Sequence, residues 1–218
     1  MFRAILYTQW KWARLAILPL VVASFAVPLL SVQAATSSAL NRFQMQDLLL
    51  LIQGYGICYP LLAVAAGLAL ATTAWASDQR KRHVYALSLP VARWHFAGLR
   101  LLAGLSILVL PVLAVWVGAL LATNIATLPA GLEIYPTLLT LRFLLAALVA
   151  YSVFFAISAS SIRTAGIILG ILALLLLAQL FLVMADVHVN FLGTLLERLF
   201  LWPGPFEVFT GRWMLIDV

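Results

Sequence analysis

Five apolar runs dominate this chain, at residues 15–32, 48–75, 96–121, 137–159 and 165–184, with short polar breaks between them. A helix needs about 20 predominantly apolar residues to cross the ~30 Å hydrocarbon core of a bilayer. With 65% of its 218 residues hydrophobic and 9% charged, a water-soluble domain of this length could not hide so much apolar surface. The expected fold class is an all-α polytopic membrane protein, a single transmembrane domain over residues 1–218. It comprises an amphipathic amino-terminal interfacial helix (1–14), five transmembrane helices over the runs above, and a short outer re-entrant or amphipathic carboxyl-terminal segment (186–218).

Charge sets the orientation. Ser77 to Gly104 reads SDQRKRHVYALSLPVARWHFAGLRLLAG and holds Arg80, Lys81, Arg82, Arg93 and Arg100 between two apolar runs. Each Arg or Lys at the centre of a bilayer costs about 2.5–3.5 kcal/mol on insertion scales. Residues 77–95 are therefore expected as a loop at the membrane surface. Pro90 divides it: His83 to Leu89 can form a short helix, and Val91 onward can start the next one. With the amino terminus inside, the inner set is Arg3, Lys11, Arg14, Arg80, Lys81, Arg82, Arg93, Arg100 and Arg163. The outer set is Arg42, Arg142, Arg198 and Arg212. That imbalance is the positive-inside pattern, and it predicts a multi-pass protein of the cell inner (plasma) membrane with a cytoplasmic amino terminus and loop. A net charge of +6 concentrated there suits the anionic headgroups of the lipid bilayer rather than nucleic acid.

Within residues 1–14, Phe2, Ile5, Leu6, Trp10 and Ala13 recur at helical spacing, opposite Arg3, Tyr7, Lys11 and Arg14. Such a helix lies in the interface plane; the plainer alternative is the wet start of the first span. Ser31-Val32-Gln33-Ala34-Ala35 has small residues spaced like a signal-peptidase site, whereas the long amphipathic leader with two Trp favours retention. Either outcome puts residues 36–47 outside. In the second run, Gly54-Tyr55-Gly56 has the order of a potassium filter, but no re-entrant pore helix precedes it. Close helix–helix contact is the expected role of these glycines. Trp75 is expected to close that span at the inner interface.

Pro111 is expected to kink the third span. Arg142, near the outer end of the fourth, is expected to snorkel to the interface, with contact to an anionic substrate as the alternative. Ser160, Ser161 and Arg163 mark a tight inner turn. Phe191 to Trp202 reads as short and amphipathic before Pro203-Gly204-Pro205 breaks it.

Catalytic motifs are missing from the sequence. The only lysines are Lys11 and Lys81, neither after a Gly-rich loop, so no P-loop is present, and neither is a zinc-protease or nucleophile-elbow pattern. His83, His95 and His188 are scattered, and the single Cys58 offers no disulfide and no thiolate cluster. No enzyme activity, metal or cofactor is expected in this chain. Asp78, the one acid of the inner loops, can pair with Arg80 or Arg82, or meet a basic group on a partner.

Leu87-Ser88-Leu89-Pro90-Val91-Ala92-Arg93-Trp94 resembles the L-L-S-L-P-V-S-R-W segment of ABC-2 type transporter permeases, which lies between their second and third spans. The resemblance extends to the amino-terminal amphipathic helix and to the spacing of five spans. Pro205-Phe206 through Arg212 is similar to that family's outer P-[FL]-x-Y-x-x-x-x-[LA]-R segment. It implies a permease subunit that pairs with a second permease subunit, as a homo- or heterodimer. A separate nucleotide-binding ATPase subunit would hold ATP and Mg and drive substrate movement, most often export. His83 to Leu89 would be the coupling helix, and Asp78, Arg80, Lys81, Arg82, His83, Tyr85, Leu87, Leu89, Pro90 and Arg93 the residues that face the ATPase.

The polar positions Gln53, Tyr55 and Ser152 are candidates for the pathway, and the apolar interior favours a lipid, lipopeptide or hydrophobic drug. The chain departs from the family where Asp78 replaces a Glu and Arg82-His83 stand in place of Gly-Thr. A sixth span is not evident. Two other classes compete. A membrane enzyme of lipid metabolism needs an acid pair or a His–acid pair near the loop, where only Asp78 is available. A non-transporting membrane scaffold or sensor would dock a soluble cytoplasmic partner through the same basic loop.

Overall fold

The computed structural model describes residues 2–40, 54–80, 92–125, 133–160, 162–184, 191–210, 213 and 215–217. The elements run α1 (Phe2–Leu40), α2 (Cys58–Arg80), α3 (Arg93–Ile125), β1 (Glu133–Ile134), α4 (Pro136–Ala159), α5 (Ile162–Met184) and α6 (Phe191–Phe200). A 3-10 turn (Glu207–Phe209) and β2 (Ile216–Asp217) complete them. They form two compact units, Met1–Phe155 with Arg212–Val218, and Ala156–Gly211.

In the first unit small side chains face inward and large ones outward. Ala63, Ala66, Leu70 and Ala74 recur at helical spacing on the buried face of α2, as Ala103, Ile107, Val115 and Ala122 do on α3. Leu15, Leu68, Leu113, Leu138 and Leu145 are exposed. Water would penalise that distribution, whereas lipid tails are as apolar as Leu, and close backbone approach is what holds helices together there. Two glycines make the approach possible. A Cβ at Gly118 would lie 2.5 Å from the Phe25 carbonyl oxygen, and one at Gly67 would lie 2.7 Å from the backbone nitrogen of Tyr151. These contacts seat α3 on α1 and α2 on α4.

Hydroxyls on the helices satisfy themselves locally. Thr8 donates to the Ala4 carbonyl (2.9 Å), Thr73 to Ala69 (2.8 Å), Ser106 to Leu102 (2.9 Å) and Thr140 to Pro136 (2.8 Å). Such back-bonding removes the cost of placing a hydroxyl where water is scarce.

One end of this unit is basic. The first turns of α1 expose Arg3, Lys11 and Arg14, and the start of α3 exposes Trp94 and His95. The opposite end carries the strands, where β1 and β2 pair antiparallel with Glu133 opposite Asp217 and Ile134 opposite Ile216. The Tyr135 amide extends the pairing by donating to the Leu215 carbonyl (3.0 Å).

The structure departs from the sequence reading at several boundaries. No break separates an in-plane helix over 1–14 from a span over 15–32, because α1 is continuous from Phe2 to Leu40. Neither Gly nor Pro occurs before Pro19, and Ile5, Ala13 and Ile17 form one row across residue 14, so nothing ends the hydrogen-bond ladder there. Pro19 and Pro28 in α1, and Pro111 in α3, lie inside continuous helices. Helix α2 runs past Trp75 to Arg80, and α3 begins at Arg93 and reaches Ile125. Helix α4 covers the run expected at 137–159 and α5 that at 165–184.

In the second unit α6 ends in a built turn. The Phe206 amide donates to the Leu199 carbonyl (3.0 Å), and the Thr210 hydroxyl donates to the Phe200 carbonyl (2.9 Å), so the chain caps its own helix. A Cβ at Gly204 would lie 2.6 Å from the Arg198 carbonyl oxygen, which explains the glycine between two prolines. Phe206 sits 5.4 Å from Phe200 and 6.4 Å from Phe209, ring centre to ring centre, and holds the turn together.

Candidate functional site

The most concentrated chemistry of the first unit lies at its basic end, where α1, α2, α3 and α4 meet around Arg100. The guanidinium of Arg100 is 4.9 Å from the ring centre of Trp75 on α2 and 4.6 Å from that of Phe96, one turn earlier on α3. Both are cation–π distances, and ring faces hold a cation more strongly once water is partly excluded. Phe155 packs against Trp75 at 5.5 Å and against Tyr151 at 5.6 Å, both tilted. The Tyr151 hydroxyl donates to the Leu101 carbonyl (3.3 Å) and ties α4 to α3. Gly104 lies under that hydroxyl and under Gln9 Nε2, and any side chain there would collide with both.

Gln9 is the unexpected member. It is 5% exposed, and its side-chain amide lies beside the Tyr151 hydroxyl above Gly104. It lines a small hollow with Ile5, Thr8, Trp12, Thr73, Ala74 and Arg100. The hollow's interior, about 10 Å³, admits roughly one water-sized group. Gln9 follows Ile5 by four residues and precedes Ala13 by four, so it shares their row on the helix. That spacing is the signal that could have found it.

The strand end holds a second cluster. Trp213 is 4% exposed, stacks with Tyr59 (6.5 Å, 13° between planes), and lies 4.9 Å from the guanidinium of Arg142. Its backbone presses on Gly56, where a Cβ would collide with the Trp213 carbonyl. Among the described residues, the close contact expected of Gly54 and Gly56 is with the carboxyl-terminal segment and is made by Gly56, while none of them lies within 4 Å of a Cβ at Gly54. Arg142 meets an indole that no local sequence pattern pairs with it. Trp75, expected at the lipid interface, is 7% exposed and packed beneath Arg100.

Of the residues singled out from the sequence, Lys81, Arg82, His83, Tyr85, Leu87, Leu89 and Pro90 lie outside the described residues, as does Gln53. Asp78 and Arg80 occupy the last turn of α2, and Arg93 opens α3. Tyr55 is half-buried in a helical turn over 54–56, and Ser152 is exposed on α4. Gly67, which meets Ala150 and Tyr151, follows Tyr55 by twelve residues, or about 18 Å of helix. Tyr55 and Ser152 thus lie toward opposite ends of the unit and do not converge. No group of three or more His, Cys, Asp or Glu that could hold a metal occurs among the described residues.

Among those residues four helical stretches are long and apolar enough to cross a membrane: Phe2–Ala34, Gly54–Trp75, Trp94–Ile125 and Pro136–Ala159. With small residues between them, Leu outward and a basic aromatic belt at one end, they define a helical membrane-embedded protein. No protein-family model, curated protein or solved structure matches the chain.

Proposed function

We propose that this chain is a permease subunit of an ABC-2 type transporter, working as a dimer and driven by a separate nucleotide-binding ATPase subunit that holds ATP and Mg. The observation that carries the reading is the Ser88-Leu89-Pro90-Val91-Ala92-Arg93 segment in the connection between α2, which ends at Arg80, and α3, which starts at Arg93. Displacement of residues 83–92 by a soluble motor has a direct route into the membrane. α3 begins at the last residue of that segment, is continuous to Ile125, and contacts α1 closely at Gly118. Export is the direction that the family resemblance implies, and an apolar molecule is the cargo that the composition favours.

The test is co-purification. The chain is expressed with its neighbouring gene products, isolated in mild detergent, and probed for an associated nucleotide-binding ATPase; Leu87→Asp with Leu89→Asp is then compared. An ATPase retained by the native chain and lost from the double variant supports the permease. Its absence under conditions that keep the dimer intact overturns the reading in favour of a scaffold.

A further inference from the structure

We infer that α6 lies in the plane of the membrane at headgroup level, and that its partner there is the lipid surface itself. The inference rests on membrane embedding alone and stands apart from any transport role.

Length sets α6 apart from the other helices. It has 10 residues (Phe191–Phe200), about 15 Å at 1.5 Å per residue, half of a hydrocarbon core about 30 Å thick. The turn that follows caps its last carbonyls, so the helix has a closed end and cannot cross.

Its side chains sort into three rows of (i, i+4) pairs. Leu195 and Leu199 are half-buried within the unit. Leu196 and Phe200, the next row round, are 48% and 37% exposed. Thr194 and Arg198 are exposed on the far side, with Glu197 between the two exposed rows. One row thus meets the unit, one is apolar and uncovered by the described residues, and one is polar. A helix at a boundary between protein, lipid and water needs that division.

The chain that leads into α6 says what covers the apolar row. Helix α5 is uncharged from Thr164 to Met184 and exposes Leu174, Leu177 and Phe181, a surface that lipid accepts and water penalises. Six residues separate Met184 from Phe191, at most about 25 Å of chain. The apolar row of α6 therefore continues a surface already in contact with lipid. Trp202, just past the end of α6, is 80% exposed. An indole has an apolar body and one polar edge, and it collects at headgroup level, where an in-plane helix ends.

Charge balance sets the kind of lipid. Glu197 and Arg198 are the only charged residues of α6, so its formal charge is zero. Burial of Leu196, Phe200 and Trp202, rather than attraction to anionic headgroups, is then the driving force. A zwitterionic bilayer should hold α6 as well as an anionic one.

The test is depth-resolved quenching in the full chain. Leu196→Cys, Phe200→Cys, Thr194→Cys and Arg198→Cys are made singly in a Cys58→Ser background, labelled with an environment-sensitive fluorophore and reconstituted in phosphatidylcholine vesicles. The vesicles carry a lipid with a nitroxide near the top of its acyl chain, or one with a nitroxide near the chain end. The shallow nitroxide should quench the probes at 196 and 200 at least about twofold more than those at 194 and 198, as for a helix whose apolar face reaches ~5–10 Å into the headgroup–acyl boundary. The deep nitroxide should quench all four weakly. Adding phosphatidylglycerol should leave the pattern unchanged, and quenching that requires it overturns the assignment to apolar burial.

Blue-shifted emission at 196 and 200 that neither nitroxide quenches overturns the inference, because protein then covers the row, either the rest of the chain or a second copy. Deep quenching that exceeds shallow quenching at all four positions also overturns it, because α6 then dips into the bilayer core. Red-shifted emission at all four puts α6 in water, with the same consequence. If a labelled chain does not fold, Trp202→Phe decides alone. Native emission minus that of the variant isolates Trp202, and this component should be quenched by the shallow nitroxide. An unquenched component overturns the inference.

Discussion

The Arg142 guanidinium lies 4.9 Å from the ring centre of Trp213, joining the outset of α4 to the segment that leads into β2. The same indole stacks with Tyr59 on α2, and its backbone lies on Gly56. One aromatic residue near the carboxyl end thus closes the strand end over two helices. Trp213→Ala should destabilise the first unit by about 3–5 kcal/mol, as for other buried Trp truncations. Trp213→Phe, which keeps a ring for both partners, should lose much less. Denaturant unfolding in lipid discs measures both, and equal stability of Trp213→Ala and the native chain would refute the closure.

The glycine contacts make a sharper demand. Gly118→Val drives a branched side chain into the Phe25 carbonyl, and Gly67→Val does the same at the backbone of Tyr151. Both neighbours are backbone and cannot swing away, so each substitution should cost about 1–3 kcal/mol as overpacking. Gly98→Val is the control, since none of the described residues lies within 4 Å of a Cβ there. Thermal unfolding of the three variants should separate the pair from the control.

The strand register gives a covalent test. In a Cys58→Ser background, Glu133→Cys with Asp217→Cys places two thiols directly opposite each other. They should cross-link on mild oxidation far more readily than Glu133→Cys with Ile216→Cys, which are offset by one position in the register. Each single cysteine should react with a membrane-impermeant maleimide from the same side of sealed vesicles. Labelling from opposite sides would refute the pairing of β1 with β2.

The turn after α6 depends on two small features. Thr210→Val removes the hydroxyl that caps the Phe200 carbonyl and should cost about 0.5–1.5 kcal/mol of local stability. Gly204→Val should cost more, because its Cβ meets the carbonyls of Arg198 and Leu199. Amide hydrogen exchange at Leu201 and Phe206 reads both effects where global unfolding would miss them.

The helical class was legible because apolar run length reports it directly, and α4 and α5 nearly coincide with the runs read from the sequence. The boundary at residue 14 was misread for a physical reason. Amphipathicity says which face of a helix is wet, not where the helix ends, and only a breaker or a cap says that. The basic-end cluster was invisible for another reason. Arg100, Trp75 and Gln9 come from three helices, and their rotation about their axes decides whether they meet. Local spacing carries no such information, although the row of Ile5, Gln9 and Ala13 pointed one polar residue inward. Trp213 reaches Arg142 through a return of the chain that no periodicity encodes.

Helix α1 has 39 residues and, at 1.5 Å per residue, is about 58 Å long. The hydrocarbon slab it crosses is about 30 Å thick, and even a tilt of about 40° lengthens the path through it only to about 39 Å. Roughly 19 Å of this rod, more than three turns, therefore stands in headgroups or in water. The amino-terminal turns with Arg3, Lys11 and Arg14 are the part chemically fit to stand there. A single helix then joins an aqueous face to the far leaflet, and Pro19, which removes one bond of its ladder, lies between the wet end and the Phe25 contact with Gly118.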